Sequence, residues 1–395
     1  MSGITPRRVE QQVWNFQNAL TAYSFDEPFS RFLTQFFKNN KQMGSSDRRM
    51  TSRLCYNYFR LGNALTNLGQ LERLTIAEFL CEQHSEIVKL YQPNWVVNQS
   101  RTVEEKCTLL TSIYGSELLA NVFPNINELS SGIDKDTFIR SHFVQPDLFI
   151  RIQRGMETFV ENHLSQAGIA YKQERDQTYR LANGTKLQNV SVIEGVVQVQ
   201  DFSSQESLNP AQISAGQSWW DACAASGGKS LLLLDKQPRV KLLVSDLRLS
   251  VLRNLDERFQ KAGVQVNYRK KVIDLTANFA HVLQDESFDG VILDAPCTGS
   301  GTWGRTPEMI QQFSQESIAE FARLQKKIAS NVVSYVKPGG QLIYITCSVF
   351  AKENEEVSKY IQEHYGLIYE DGGLIPGYHR GSDSMYSIRL RKPLK

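Results

Sequence analysis

Cysteine is scarce and badly spaced for either of its structural uses. The six thiols, at Cys55, Cys81, Cys107, Cys223, Cys297 and Cys347, form no Cys-x-x-Cys pair and sit beside no histidine ligand pattern. A zinc site or a disulfide framework is therefore not expected, and reduced thiols fit a cytoplasmic chain. Long apolar runs are missing too. Nothing approaches the ~20 residues of a membrane helix, and Met1 to Gln12 carries charges without the apolar stretch of a signal peptide. Charge of one sign hardly prevails, with 44 Lys and Arg against 42 Asp and Glu. Internal repeats and low-complexity tracts are absent. The expectation is a soluble, cytoplasmic protein that binds no metal and no membrane.

What is present belongs to a folded chain: 41% hydrophobic and 22% charged residues over 395 positions. That length exceeds one ordinary core and predicts two or three domains. Apolar residues recur at helical spacing in Phe29, Phe32, Leu33, Phe36 and Phe37 and again in Leu54, Tyr58 and Leu61, with Gly44-Ser45-Ser46-Asp47 as break and cap between them. Val103 to Phe123 adds another helix or two before Pro124. An all-helical N-terminal domain over residues 1–146 follows. From 147 to 205 the texture turns to a small α+β module, with strands at Leu148–Ile152 and Val190–Val199 and a helix over Met156–Ala167.

From 206 to 395 strand-like and helical runs alternate. The strands are expected at Trp219–Cys223, Val240–Ser245, Val264–Tyr268, Phe288–Leu293 and Gln341–Ile345. Such alternation builds a doubly wound, Rossmann-like parallel sheet whose ligands sit at the carboxyl edge. After the first strand, Cys223-Ala224-Ala225-Ser226-Gly227-Gly228-Lys229 makes a glycine turn that opens a helix, a place suited to an anion. This turn has neither G-x-G-x-x-G spacing nor the earlier glycine of a Walker sequence, which weakens dinucleotide and nucleoside triphosphate readings. Asp246 ends the second strand, where a carboxylate accepts from ribose hydroxyls, and Asp274 follows the third as an adenine-side contact or a helix cap. An adenosyl ligand carrying a carboxylate, S-adenosylmethionine, fits this set. A tight turn with no ligand is the bland alternative for a lone glycine pair; the two aspartates tip the balance.

Two later strands end in thiols, Cys297 in Asp294-Ala295-Pro296-Cys297 and Cys347 in Thr346-Cys347-Ser348. A buried small hydrophobe is the commonest fate of a cysteine, and Cys55, Cys81 and Cys107 are assigned it. Four stretches, VQDFSSQ at 199–205, DACAASGGK at 221–229, DAPCTGSGTWGRTPE at 294–308 and ITCSVFAKENEEV at 345–357, resemble in order and separation the RsmB/NOL/NOP/Sun RNA cytosine-5 methyltransferases. MGSSDRR at 43–49 is similar to the NusB-like helical domain of the RsmB branch. Ser226 stands where that family usually has proline.

The resemblance implies a class I methyltransferase domain and a division of labour. Cys347 would attack cytosine C6, making C5 enamine-like; Asp294 would stabilise the protonated adduct beside N3. Cys297 would assist loss of the C5 proton and release of the first sulfur. Lys229 is the nearest candidate cation to favour a thiolate, unless it only holds Asp294. Residues 223–229, Asp246, Asp274 and Asp294 would hold the cofactor, with Cys223 lining the turn unreacted. The partner implied is structured RNA, most often ribosomal, presenting an unpaired or flipped base. Trp303 and Arg305 would either clamp that RNA or anchor their loop. Ten Lys and Arg against five Asp and Glu in residues 1–75, and five against one in 380–395, suit a polyanion. The alternatives are a transfer RNA methyltransferase and an RNA-binding assembly factor without turnover.

Overall fold

A computed structural model describes residues 5–115, 117–265 and 267–394. The chain divides into two compact units. One comprises the chain up to Asn127 with Asp134–Gln145 and Trp303–Gln315; the other comprises Glu128–Ile133, Pro146–Thr302 and Glu316 onward.

The first unit is helical: α1 (Pro6–Ala22), α2 (Phe29–Asn39), α3 (Ser45–Arg60), α4 (Gln70–Cys81), α5 (Glu86–Tyr91), α6 (Val103–Tyr114), α7 (Glu117–Ala120) and α8 (Lys135–Ser141). Local chemistry sets several ends. Thr5 accepts from the Arg8 amide ahead of Pro6, and Thr102 with Glu105 forms a capping box at α6. The break at Gly44 is where the glycine and serines predicted it, but no side chain caps α3; Asp47 pairs instead with Arg8. Of the α2 stripe, Phe29 and Leu33 are buried while Phe32, Phe36 and Phe37 are half-buried.

The second unit carries two sheets. Strands β1 (Leu148–Ile152), β2 (Tyr171–Arg175), β3 (Thr178–Leu181) and β4 (Val197–Val199), with helix α9 (Glu157–Gln166), form a small module whose antiparallel order is β2-β3-β1-β4. The expected strand over Val190–Val199 is mostly something else. Leu187–Asn189 and Ser191–Ile193 are 3-10 turns, and Gly195 at φ 97° turns the chain before three residues pair. Val190 and Ile193 are buried through those turns rather than by sheet pairing.

After α10 (Phe202–Glu206) come β5 (Ser218–Asp221), α11 (Gly228–Lys236), β6 (Lys241–Asp246), α12 (Leu249–Lys261), β7 (Arg269–Val272), α13 (Ala280–Leu283) and β8 (Phe288–Asp294). Helix α14 (Met309–Gln312) lies in the helical unit; α15 (Gln315–Val332), β9 (Val336–Thr346), α16 (Glu355–Tyr365), β10 (Ile368–Ile375) and β11 (Met385–Arg391) complete the chain. The seven strands run β10-β11-β9-β8-β5-β6-β7, parallel from β9 through β7, with β10 and β11 antiparallel at one margin. Period-two burial puts alternate residues on opposite faces. Trp219, Leu242 and Val244 pack with α11 and α12, whereas Trp220 and Leu243 pack with α15 and α16. The doubly wound architecture is the one the alternation predicts.

One strand is displaced: the pairing with β6 uses Arg269–Val272, not the described residues of Val264–Tyr268. An edge strand here has solvent on its flanks. Arg269, Lys270 and Val272 are exposed, so it carries no apolar run to announce it.

Candidate active site

Strand order reverses between β5 and β8, and at such a switch point the carboxyl ends of neighbouring strands open a crevice. Four strand ends meet this edge: Asp221 of β5, Asp246 of β6, Asp294 of β8 and Thr346 of β9.

The glycine turn follows β5. Ala225 has φ 46° and Gly227 φ 83°, the left-handed region. A Cβ on Gly227 would stand 2.7 Å from the Phe259 ring and 2.9 Å from Leu255, so glycine is required there on two counts. Asp246 is drawn into the turn, accepting from the Ala225 amide at 3.2 Å and the Arg248 amide at 2.9 Å. Ser226 accepts from the Arg258 guanidinium at 3.3 Å, a side-chain tie at the position where proline is usual. Cys223 is half-buried against the core, and burial holds its thiol well above the ordinary value. Asp274 is exposed and accepts from the amide and hydroxyl of Thr276 at 2.8 and 2.7 Å, bonds that lower its carboxyl.

Asp221 is fully buried. Its Oδ2 accepts from Ser230 at 2.6 Å, while Oδ1 is buried with no hydrogen-bond partner among the described residues. Desolvation pushes this carboxyl up to about 7, with the charges of Asp294 and Asp246 adding to the rise. An orphaned buried acceptor beside a turn of backbone donors fits a ligand that carries its own donor, as an α-amino acid end does.

Lys229, on the first turn of α11, reaches Asp294 across the sheet edge at 2.7 Å. Burial alone would lower the ammonium, yet the Asp294 charge and hydrogen bond leave it above its ordinary value; the charge at Cys347 acts the same way. The sulfurs of Cys297 and Cys347, fifty residues apart in sequence, lie 3.4 Å from each other as free thiols. Backbone bonds hold them there. Ala295 donates to the Ile345 carbonyl at 2.9 Å and Gly301 to the Cys347 carbonyl at 2.8 Å. Gly301 permits this approach, since a Cβ would fall 1.9 Å from the Ser384 carbonyl. The hydrogen bond to Cys347 first, then burial, push the Cys297 thiol well above its ordinary value, with the Cys347 and Glu353 charges adding to it.

Every thiol and carboxylate singled out from the sequence around the turn and the two motifs is therefore at this edge, with Lys229 and Asp294 paired. Trp303 is not available to a ligand. It is buried in the helical unit, 5.2 Å from the Phe123 ring and 5.1 Å from Phe313, and serves as a packing anchor. Arg305 is half-buried in the same segment. Two residues escaped the sequence reading, Asp221 and Glu353. Both stand inside quoted motifs; Asp221 is an acid among apolar neighbours, which was the available signal, whereas Glu353 lies in the charged run Lys352-Glu353-Asn354-Glu355-Glu356 and gave none. Glu353, fully buried, accepts from the Thr298 amide at 2.9 Å, the Thr298 hydroxyl at 2.6 Å, Gln325 at 3.0 Å and the Ser348 hydroxyl.

Comparison with known proteins gives a consistent picture. Residues 207–367 match the family model described as 16S rRNA methyltransferase RsmB/F. Ribosomal RNA small subunit methyltransferase B of Erwinia tasmaniensis is 32% identical over 207 residues, 50% of this chain and 48% of that protein. The chain spans about half the length of the curated relatives it matches in this way. Among solved structures, PH0851 superposes with a TM-score of 0.71 at 19% identity, covering 99% of this chain and 100% of that one. NSun6 from Pyrococcus horikoshii with SFG gives 0.57 at 14% identity, covering 73% and 97%. These two likenesses concern the fold.

Proposed function

We propose, from a domain at 207–367 that matches the RsmB/F methyltransferases, that this chain is an S-adenosylmethionine-dependent RNA cytosine-5 methyltransferase acting on ribosomal RNA. The observation that carries the reading is the pair of free thiols 3.4 Å apart beside the Lys229–Asp294 ion pair, at the switch point of the sheet. A cofactor or a thiol pair alone would suit many reactions; together with a carboxylate they suit one that begins by covalent attack on a ring.

Residues 223–229, Asp246, Asp274 and Asp294 would hold the cofactor, and the orphaned Asp221 Oδ1 supports a donor group in that place. When bound, S-adenosylmethionine supplies an electrophilic methyl group. The chain's own residues do the rest. Cys347 bonds to C6 of an unpaired cytosine, which turns C5 into a nucleophile. Asp294, steadied by Lys229, stabilises the protonated ring beside N3. After C5 has been methylated, Cys297 assists loss of the C5 proton, directly or through water, and the Cys347 thiolate leaves as the ring double bond returns.

Tritium transfer from labelled cofactor to RNA of a strain lacking this protein tests the activity, and bisulfite sequencing of ribosomal and transfer RNA identifies the target. Label in transfer RNA alone would replace the ribosomal assignment, and no label in any RNA would leave a binding factor. Cys347→Ala should abolish transfer, whereas Cys297→Ala should accumulate a protein–RNA adduct that survives denaturing gels. Normal turnover by Cys347→Ala would overturn the assignment of roles.

A further inference from the structure

A base held at the thiols brings charged phosphates with it on either side, and the Lys229 ammonium beside them is already spent on Asp294. Cations that face solvent lie instead where the β2–β3 hairpin meets α10 and the loop between β10 and β11. Tyr171, Tyr179 and Leu181 turn one face of that hairpin into the core with α9. On the opposite face Lys172 stands directly across from Arg180, and Thr178 reaches α10 by donating to Gln205 at 2.7 Å. Arg175 of β2 and Arg380 of the loop before β11 hold their guanidinium carbons 5.6 and 5.2 Å from the centre of the Phe202 ring. Arg175, Phe202, His379 and Arg380 line a cleft of about 660 Å³ that also takes in Gly372 to Ile375 of β10.

The charges of this patch are layered. The side chains of Lys172, Arg175 and Arg380 are 70%, 54% and 51% exposed, whereas the acids that pair with them, Glu174 and Glu206, are only 7% and 15% exposed. Glu174 stands 3.2 Å from Lys172, 3.6 Å from Arg380 and 3.8 Å from Arg180, and Glu206 stands 2.7 Å from Arg175. Like charges placed directly across two strands destabilise a sheet, and the buried acids offset that cost. A ligand arriving from solvent meets the cations first, and the nearer charges dominate the field it feels. Asp371, the other acid lining the cleft, is in the middle of β10 and accepts from the Gly372 amide.

Backbone bonds join this patch to the thiols. Strand β11 runs antiparallel to β9, so the loop before it lies at the edge where β9 ends at Thr346. In that loop Ser382 donates to the Gly377 carbonyl at 3.1 Å, and Ser203 of α10 donates to the Asp383 carbonyl at 2.5 Å. Ser384 then donates to the Gly301 carbonyl at 2.9 Å, and Gly301 to the Cys347 carbonyl. We propose that Lys172, Arg175, Arg180 and Arg380 form a lane for single-stranded RNA, binding phosphates that flank the reacting cytosine and offering guanidinium planes on which an adjoining base stacks. This rests on the RNA methyltransferase reading of the site and adds where the strand runs.

The test is binding of a fluorescein-labelled oligouridylate, which has no cytosine to methylate, followed by anisotropy between about 50 and 200 mM salt. Each phosphate contact on a single strand contributes about 0.7 to the slope of log affinity against log salt. Lys172→Gln, Arg175→Gln and Arg380→Gln together should therefore reduce that slope by about 2 and weaken binding at least about tenfold, with cofactor affinity unchanged. Lys172→Gln alone should reduce it by about 0.7; its side chain is mostly in solvent, so it carries the test if the triple variant does not fold. Glu174→Gln removes the acid beneath the cations and should tighten binding. A merely stabilising ion-pair network would lower the melting temperature in every variant and leave the slope alone. An unchanged slope in the triple variant overturns the proposal. So does displacement of the oligonucleotide by polyglutamate as readily as by RNA of equal charge, which would mark a surface for acidic peptides. Binding of this kind needs no turnover. A parent protein that shows it but transfers no methyl group would sink the proposed activity and leave the lane standing. A triple variant that methylates ribosomal RNA with parental kcat and KM would remove the lane and leave the activity.

Discussion

Asp221 shows how one residue can carry the tension between folding and ligand binding. Its carboxyl is fully buried with half of its acceptor capacity unused, and desolvation raises it from 3.8 to about 7. The folded state therefore holds a proton that the unfolded chain releases at lower pH. Stability is lost as pH rises from about 4 to about 7. Asp221→Asn keeps an acceptor for Ser230 and removes the charge. Relative to the parent it should gain about 2 kcal/mol more at pH 8 than at pH 5, read by urea denaturation at both; parallel behaviour at the two pH values would show that the buried charge is neutralised another way. Lys229 presents the opposite case. Its ammonium is compensated by Asp294 at 2.7 Å, so Lys229→Met strands a carboxylate beside the thiols. Transfer should fall about a hundredfold, on the order of 2–3 kcal/mol, with RNA binding nearly unchanged in a filter assay. Residue identities of this kind were half legible in the sequence. Cys297, Cys347, Asp294 and Lys229 stood out by motif, whereas Glu353 looked like one acid in a charged run, because burial is a property of the folded chain.

At the scale of elements, two glycines define how strands and turns approach one another, and each can be tested separately. Gly227→Ala forces a Cβ into Phe259 and Leu255 at a left-handed position, so cofactor affinity should fall at least roughly tenfold in calorimetric titration. Gly301→Ala pushes the segment after Cys297 off the Ser384 and Cys347 carbonyls. That variant should lose turnover and thermal stability while its cofactor affinity stays near the parental value, because the turn after β5 is untouched. Equal loss of cofactor binding in both would mean that the turn and the thiol loops act as one element. The strands that sequence reading located well, β5, β6, β8 and β9, are central and buried on both faces, which writes a continuous apolar run. Those it misplaced are marginal: β7 at the sheet edge, and β4, three residues long after two 3-10 turns. Their position is settled by what they pair with, not by their own side chains.

For the whole molecule, the near-balance of charge conceals basic excess at both ends of the sequence. If RNA is the partner, affinity should fall steeply with added salt, the logarithm of the binding constant declining linearly with the logarithm of salt concentration; a flat dependence would remove the phosphate-tracking surface from the proposal. The sequence by itself determined the alternation of strands and helices, the turn that only glycine can make, and the motifs that set two thiols and a carboxylate at strand ends. Those are local properties, written in periodicity and in residue types with restricted backbone freedom. Only the tertiary structure decided that Cys297 and Cys347 stand 3.4 Å apart, that Trp303 is spent on packing, and that Glu353 is the buried carboxylate joining both loops. Contacts between residues so far apart in the chain exist only once the sheet has closed, and desolvation then gives each enclosed charge its effect.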